Sequence, residues 1–212
     1  NNCTNGIMYL SNWLMGYKGG QFEQDSLIVK EGTVGIADET RFYGLNHVSL
    51  PKSLKHIGEN AFSGCSMLQE FKGKFAADGG RCLIVDGVLE AFALGCGVTQ
   101  YTIPNRITTI YDSAFSGCSS LTSVTIGNSV TSIGYFAFGN CSSLTSIEIP
   151  ESVTSIGDSA FASCDSLASI EIPNSVTSIG RTIFSYCSGL ESITVDKNNS
   201  YYSSDENGIL YN

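Results

Sequence analysis

LTSVTIGNSVTSIGYFAFGNCSS (residues 121–143) is followed by LTSIEIPESVTSIGDSAFASCDS (144–166) and LASIEIPNSVTSIGRTIFSYCSG (167–189). Leu121, Leu144 and Leu167 stand 23 residues apart, as do Ile133, Ile156 and Ile179, Phe138, Phe161 and Phe184, and Cys141, Cys164 and Cys187. A fixed period of this size marks a solenoid, in which each repeat is one coil stacked on the next. Such a scaffold does not dictate what binds to it, so function has to be read from the residues it displays.

Within residues 144–166, Leu144, Ile147 and Ile149 turn inward from a short parallel strand, while Ser146 and Glu148 face out. Pro150 has no N–H and ends the strand. Val153 and Ile156 return to the core from a second extended segment, TSIG. Asp158 is placed to cap a single helical turn with Ala160, Phe161 and Cys164 on its inner side. No coil buries these residues alone; its neighbours do, which puts like residues in ladders about 4.8 Å apart. Gly127 stands where other coils have proline, and Tyr111 where others have glycine, so both positions read as tolerant. The strand pattern L-x-x-I-x-I is that of a leucine-rich repeat. The expected fold class is therefore an α/β, β-dominated leucine-rich-repeat solenoid with short parallel strands, single helical turns and inserted β-hairpins.

Working outward, residues 45–67 form a clear repeat, with Val48, Leu50, Leu54, Ile57, Phe62 and Cys65 on the motif. Gln24 precedes Leu45 by 21 residues in the same phase, and the unit from Leu68 carries an insertion of seven. There Asp86-Gly87 between CLIV and VLEAF predicts a hairpin. Val98 resumes the repeat and Leu190 opens the last one. Residues 1–23 hold GIMYL and WLMGY around Ser11-Asn12, read as a hairpin covering the open end of the solenoid. Asn207-Gly208-Ile209-Leu210-Tyr211 echoes Asn5-Gly6-Ile7-Met8-Tyr9, so the chain either has been cut or ends by pairing against its last coil. One domain, 1–212, is expected: a cap at 1–23, repeats over 24–195 with a hairpin insertion near 80–94, and a terminal segment at 196–212.

The repeated unit SLTSIxIPxSVTSIGxxAFxxC resembles the BspA-type leucine-rich repeat, found mostly in surface proteins of anaerobic gut and oral bacteria. The specific element is AF-x-x-C, at Ala61-Phe62-Cys65, Ala114-Phe115-Cys118, Ala137-Phe138-Cys141 and Ala160-Phe161-Cys164; Ile183-Phe184 departs from it. The resemblance implies an extracellular, non-catalytic role in adhesion or recognition of host or microbial molecules, at the cell surface or secreted. It transfers no ligand site, because the family motif is all scaffold.

Composition narrows the partners. A net charge of −9 and a pI near 4.6 argue against nucleic acid and anionic membranes. No apolar run approaches the roughly 18 residues that span a bilayer. The first residue is not Met, which reads as a mature or trimmed chain with any signal or anchor upstream. Five of the eight cysteines (Cys65, Cys118, Cys141, Cys164, Cys187) share one repeat position and read as buried thiols; Cys3, Cys82 and Cys96 stay open. With no CxxC and only His47 and His56, no metal and no cofactor are expected. His47 reads as an outward strand residue and His56 as a solvated one. The serines are too regular to mark a nucleophile, and no phosphate-binding glycine motif occurs, so no enzyme is expected. Asn2, Asn140 and Asn198 open glycosylation acceptor patterns, idle in a bacterial source.

The candidate binding surface is the outward strand face: Ser123 and Thr125, Ser146 and Glu148, Ser169 and Glu171, Ser192 and Thr194, preceded by Gln100/Thr102 and Glu70/Lys72. The expected partner is a protein or glycan at a cell surface, bound by a monomer. The alternatives are that short polar side chains merely suit a solvated sheet, and that the coils are a stalk displaying another domain. Exposed Trp13, Tyr201 and Tyr202 would favour binding; their burial as caps would favour the stalk. Glu148 and Glu171 share an outward position in successive coils, with Glu151 nearby. They mark either a spot for a cationic group or carboxylates splayed into water.

Overall fold

The computed structural model describes residues 2–4, 6–17, 24–40, 42, 44–62, 65–205 and 210–211. The side chain of Cys3 and the segment 207–209 lie outside the described residues. The chain forms two compact units, residues 1–85 with 90–97 and residues 86–89 with 98–212. Each is a run of β-solenoid coils. No helix among the described residues is long and apolar enough to cross a membrane.

In the first unit, β1 (Asn2–Thr4), β2 (Ile7–Leu10) and β3 (Trp13–Tyr17) make an antiparallel meander. The coils then contribute β4 (Ser26–Ile28), β5 (Gly35–Ile36), β6 (His47–Leu50), β7 (His56–Ile57) and β8 (Glu70–Gly73). β4, β6 and β8 pair in parallel as the strand face, and β3, β5 and β7 pair in parallel on a second side. The hairpin expected around Ser11 therefore extends this second sheet. β3 seats Trp13 over Gly35, where an added Cβ would collide with the indole, and stacks it on His56 at 6.0 Å. β9 (Ala76–Ala77) and β10 (Cys82–Val85) pair antiparallel around a short 3₁₀ turn at Asp78–Gly80, and β11 (Val88–Phe92) follows. Between β10 and β11, Asp86 and Gly87 take φ of 48° and 83°, the double positive of the turn that Asp-Gly predicts.

The second unit holds β12 (Gln100–Thr102), β13 (Thr109–Ile110), β14 (Ser123–Thr125), β15 (Ser132–Ile133), β16 (Ser146–Glu148), β17 (Ser155–Ile156), β18 (Ser169–Ile172), β19 (Ser178–Ile179), β20 (Ser192–Val195), β21 (Ser203–Ser204) and β22 (Leu210–Tyr211). On the second side, the first residues of β11 lead an unbroken parallel ladder through β13, β15, β17 and β19. The strand face is in two pieces, β12-β14-β16 and β18-β20. β21 and β22 pair antiparallel.

The third side is not helical. Residues 158–163 are consecutive turns in which alternate amides point different ways. Ser159, Phe161 and Ser163 donate to Arg181, Ile183 and Ser185 of the next coil, while Ala160, Ala162 and Cys164 donate three residues back. The backbone alternates accordingly, with positive φ at Ser113, Phe136, Ser159 and Thr182 and again at Gly117, Asn140, Ser163 and Tyr186. Asp158 caps no helix: its carboxylate accepts the Arg181 N–H at 2.7 Å, as Asp112 accepts that of Tyr135 at 2.6 Å. The glycine before it has no room for a side chain. A Cβ on Gly157 would fall 2.7 Å from the Gly134 carbonyl carbon, so Tyr111 is a local exception to a demanding position.

Inside, Phe115, Phe138, Phe161 and Phe184 form a continuous stack, with centroids 5.0, 5.6 and 5.9 Å apart. Beside it the described cysteines of the repeats are reduced, buried or half-buried thiols. Cys141, Cys164 and Cys187 each donate S–H to the carbonyl of Phe115, Phe138 and Phe161 in the preceding coil, at 3.0 to 3.2 Å. Burial pushes the Cys65 and Cys164 thiols up to about 12, so they stay protonated and unreactive.

Candidate functional site

The alternation of the strands decides which side chains meet solvent. Val124, Ile147 and Ile170 are buried, and the residues on either side of each point out. Ser123 lies opposite Ser146 and Thr125 opposite Glu148. Ser169 lies opposite Ser192 and Glu171 opposite Thr194. The eight residues thus share one face, with Ser123 and Ser192 half-buried and the other six exposed.

They fall into two groups because the ladder stops between β16 and β18. In the intact ladders, Thr122, Thr145 and Glu191 donate their N–H to Thr99, Thr122 and Ala168 in the preceding coil, at 2.7 to 2.9 Å. Thr122 and Thr145 add a hydroxyl donation to the same carbonyls at 2.9 Å. Ala168 makes neither bond: its side chain has no hydroxyl, and among the described residues nothing donates to the Thr145 carbonyl. Two further features oppose closure. Glu148 and Glu171 would stack like charges at strand spacing. Pro150 and Pro173 would stack rings where the adjoining coil has Gly127, at which an added Cβ would fall 2.7 Å from the Ile103 carbonyl oxygen. The second and third sides stay bonded at this level, as β17–β19 and the Phe161–Ile183 bond show, so the gap opens on the strand face alone.

The gap is a cleft of about 440 Å³. Ser146, Glu148, Glu151, Ser169 and Glu171 supply its polar lining; Ile147, Ile149, Ile170, Pro150 and Pro173 supply apolar walls. No described cationic side chain pairs with these carboxylates. The first unit differs, since Glu70 lies 2.6 Å from Lys72 and 3.2 Å from His47. The Lys72 contact is the main cause that lowers the Glu70 carboxyl. The His47 contact has ion-pair distance without hydrogen-bond alignment. A shallower cavity of about 370 Å³ adjoins that pair, lined in part by Arg81 and Cys96, which the insertion delivers and the repeat pattern did not mark. Among the described residues no group of three or more His, Cys, Asp or Glu is arranged to hold a metal ion.

The aromatic residues divide. Tyr202 accepts the Ile179 N–H at 2.9 Å and is tied to the preceding coil, Trp13 is stacked on His56 yet 39% exposed, and Tyr201 stays 58% exposed.

The family profile described as the BspA type leucine rich repeat region matches residues 33–75 and 89–205, in 6 copies. Among solved structures, the pneumococcal vaccine antigen PcpA is similar at 23% identity over 78% of this chain and 43% of its own, with a TM-score of 0.69. A leucine-rich repeat protein from Eubacterium ventriosum is similar at 23% identity over 82% of this chain and 49% of its own, with a TM-score of 0.72. These two likenesses concern the fold alone. A leucine rich cell surface protein from Faecalibacterium prausnitzii is similar at 25% identity over 84% of this chain and 62% of its own, with a TM-score of 0.58. The chain thus spans less than two thirds of each of these three. No curated protein matches it in sequence.

Proposed function

The chain belongs to the BspA-type leucine-rich repeat family, and from that premise we propose that it is a non-catalytic binding module that recognises a protein or glycan partner at a cell surface through its strand face. One observation carries this reading: the outward columns of the second unit flank a cleft whose carboxylates have no cationic partner among the described residues, on a backbone fixed on its other two sides. A rigid display of this kind loses little freedom on binding. The name of the Faecalibacterium relative, a cell surface protein, agrees with the location.

The spacer reading keeps one support, since Tyr202 is engaged in the fold rather than displayed. The two are separated by arrays of extracellular-matrix proteins and glycans probed with the whole chain. Thr125→Arg and Thr194→Arg on the strand face are compared with Ser178→Arg on the second side. The strand-face variants are expected to lose about tenfold or more in affinity for any component bound by the wild type, with Ser178→Arg unchanged. No bound component, or equal loss in all three, would leave the spacer reading standing.

A further inference from the structure

Just past β15, where the coil turns from its second side to its third, the second unit carries an aromatic pair that the repeat pattern does not supply. Tyr135-Phe136 stands where the coils around it have Asp112-Ser113, Asp158-Ser159 and Arg181-Thr182. All four coils share one backbone there, with φ of 57° at Ser113, 51° at Phe136, 54° at Ser159 and 53° at Thr182. A bulky side chain is disfavoured in that conformation, so serine or threonine serves the fold better than phenylalanine. The ring is nonetheless given a seat. Gly139 makes room for it, since a Cβ added there would fall 2.5 Å from three of its atoms, and the other coils have Ser116, Ala162 and Ser185 at that position. Two departures from the repeat thus cooperate to hold one ring. Strain retained at a displayed position points to a use beyond folding.

The pair meets water. Tyr135 is 53% exposed, with its ring 5.9 Å from that of Phe136 at a tilt of 30°. Asp112 and Asp158 hold the equivalent position one coil before and one coil after. Each anchors one carboxylate oxygen on a backbone N–H, that of Tyr135 at 2.6 Å and that of Arg181 at 2.7 Å. The other oxygen of each has no hydrogen-bond partner among the described residues, and neither has the Tyr135 hydroxyl. The backbone beneath is tied to both neighbouring coils: Ser113 donates its N–H to the Tyr135 carbonyl at 2.9 Å, and Phe136 donates its own to the Asp158 carbonyl at 3.0 Å.

We propose that this corner binds one pyranose ring of a neutral glycan, at a site separate from the strand face and independent of that reading. A sugar ring joins an apolar C–H face to a rim of hydroxyl donors, and the corner joins an aromatic platform to acceptors held in place. Two rings offer too little apolar area to seat a folded protein by themselves. Acidic sugars are repelled, because acidic residues outnumber basic ones 11 to 3 in this unit. A platform fixed through its backbone loses little freedom on binding.

The test follows the amide NMR spectrum of the full, isotope-labelled chain titrated with cellotriose, mannotriose and N-acetyl-chitotriose. Trigalacturonate and choline chloride are titrated in parallel. Expected are saturable shifts centred on residues 112–113, 134–140 and 158–159 with at least one neutral trisaccharide, and none with trigalacturonate. Tyr135→Asp/Phe136→Ser rewrites the corner in the sequence of its neighbours, so the variant keeps its fold, which unshifted amides elsewhere verify. It should lose affinity about tenfold or more. No neutral trisaccharide bound, shifts centred elsewhere, or binding retained in the double variant would each overturn the proposal. Trigalacturonate binding as tightly would overturn the preference for neutral sugars. Choline saturating the same amides at lower concentration than any sugar would replace the glycan with a cation on the aromatic faces. Thr125→Arg on the strand face should leave sugar binding unchanged; a loss there would move the sugar to the strand face and reject the corner.

Discussion

Phe161 is fully buried, with its ring stacked between Phe138 and Phe184, whereas Thr154 stands exposed and donates its hydroxyl to the Thr131 carbonyl at 3.2 Å. The two residues are seven apart in one coil and differ in what their loss removes. Phe161→Ala leaves a void that rigid neighbours above and below cannot fill, and should cost about 3–5 kcal/mol. Thr154→Ala gives up one solvated hydrogen bond, about 1 kcal/mol or less. Denaturant unfolding of the two variants checks this, and equal midpoint shifts would mean that the ring stack is not what holds the coils. The cysteines obey the same logic on a smaller scale. Cys164 is small enough for the column and still gives the Phe138 carbonyl a donor, which alanine does not.

On the third side of the coil the decisive quantity is backbone conformation. Tyr186 takes φ of 62° and is 83% exposed, so its side chain gains little from the position while its backbone sits where L-residues are disfavoured. Gly117 occupies the same place in an earlier coil. Tyr186→Gly should therefore stabilise the chain by about 1 kcal/mol at most, glycine's looser unfolded state offsetting part of the gain. A lower melting temperature for this variant would show that the turn tolerates tyrosine without strain. This side was also the least legible in the sequence. Alternation of apolar residues marks β16 and β17 plainly, and Asp86-Gly87 marks its turn. Residues 158–163 looked helical because Ala160, Phe161 and Cys164 have helix-like spacing. What sets their path is amides reaching the next coil, and side-chain polarity does not encode that. The cleft was half legible. Glu148 and Glu171 were visible as a pair, but SIEI reads as a good strand in both coils. The overlooked signal was Ala168, where the run Thr99, Thr122 and Thr145 ends, together with proline following proline at Pro150 and Pro173.

At the scale of the whole molecule the excess of acid becomes a stability term. Glu90 on β11 is partly buried, and burial first, then the charge of Glu59, push its carboxyl up to about 7. Unfolded, the same group titrates near 4.5. Between these values the folded chain holds a proton that the unfolded chain has released. Stability from this group is therefore complete below the lower value and declines as pH rises through the window. Relative to Glu90→Gln, the wild type should lose on the order of 1–2 kcal/mol between pH 5 and 7.5, once solvent screening of a half-exposed carboxyl is allowed for. Parallel stability curves for the two proteins would remove Glu90 from the account. The bonds of the second unit carry a different consequence, one of inheritance. Thr131 bonds to Thr108, Thr154 to Thr131 and Thr177 to Thr154, each partner being the same residue one coil earlier. A coil copied in frame by a duplication in the gene would thus find its docking surfaces already made on both sides, and one deleted would leave matching faces to close. Length in this part of the chain is free to drift by whole coils at little cost to folding. The insertion around residues 78–97 breaks this series, since Thr108 donates to the Gly87 carbonyl instead, and does not copy cleanly. A duplication of residues 144–166 would do more than lengthen the stack: it would set another glutamate and another proline against their own copies, and so pass on a second opening of the strand face with the first.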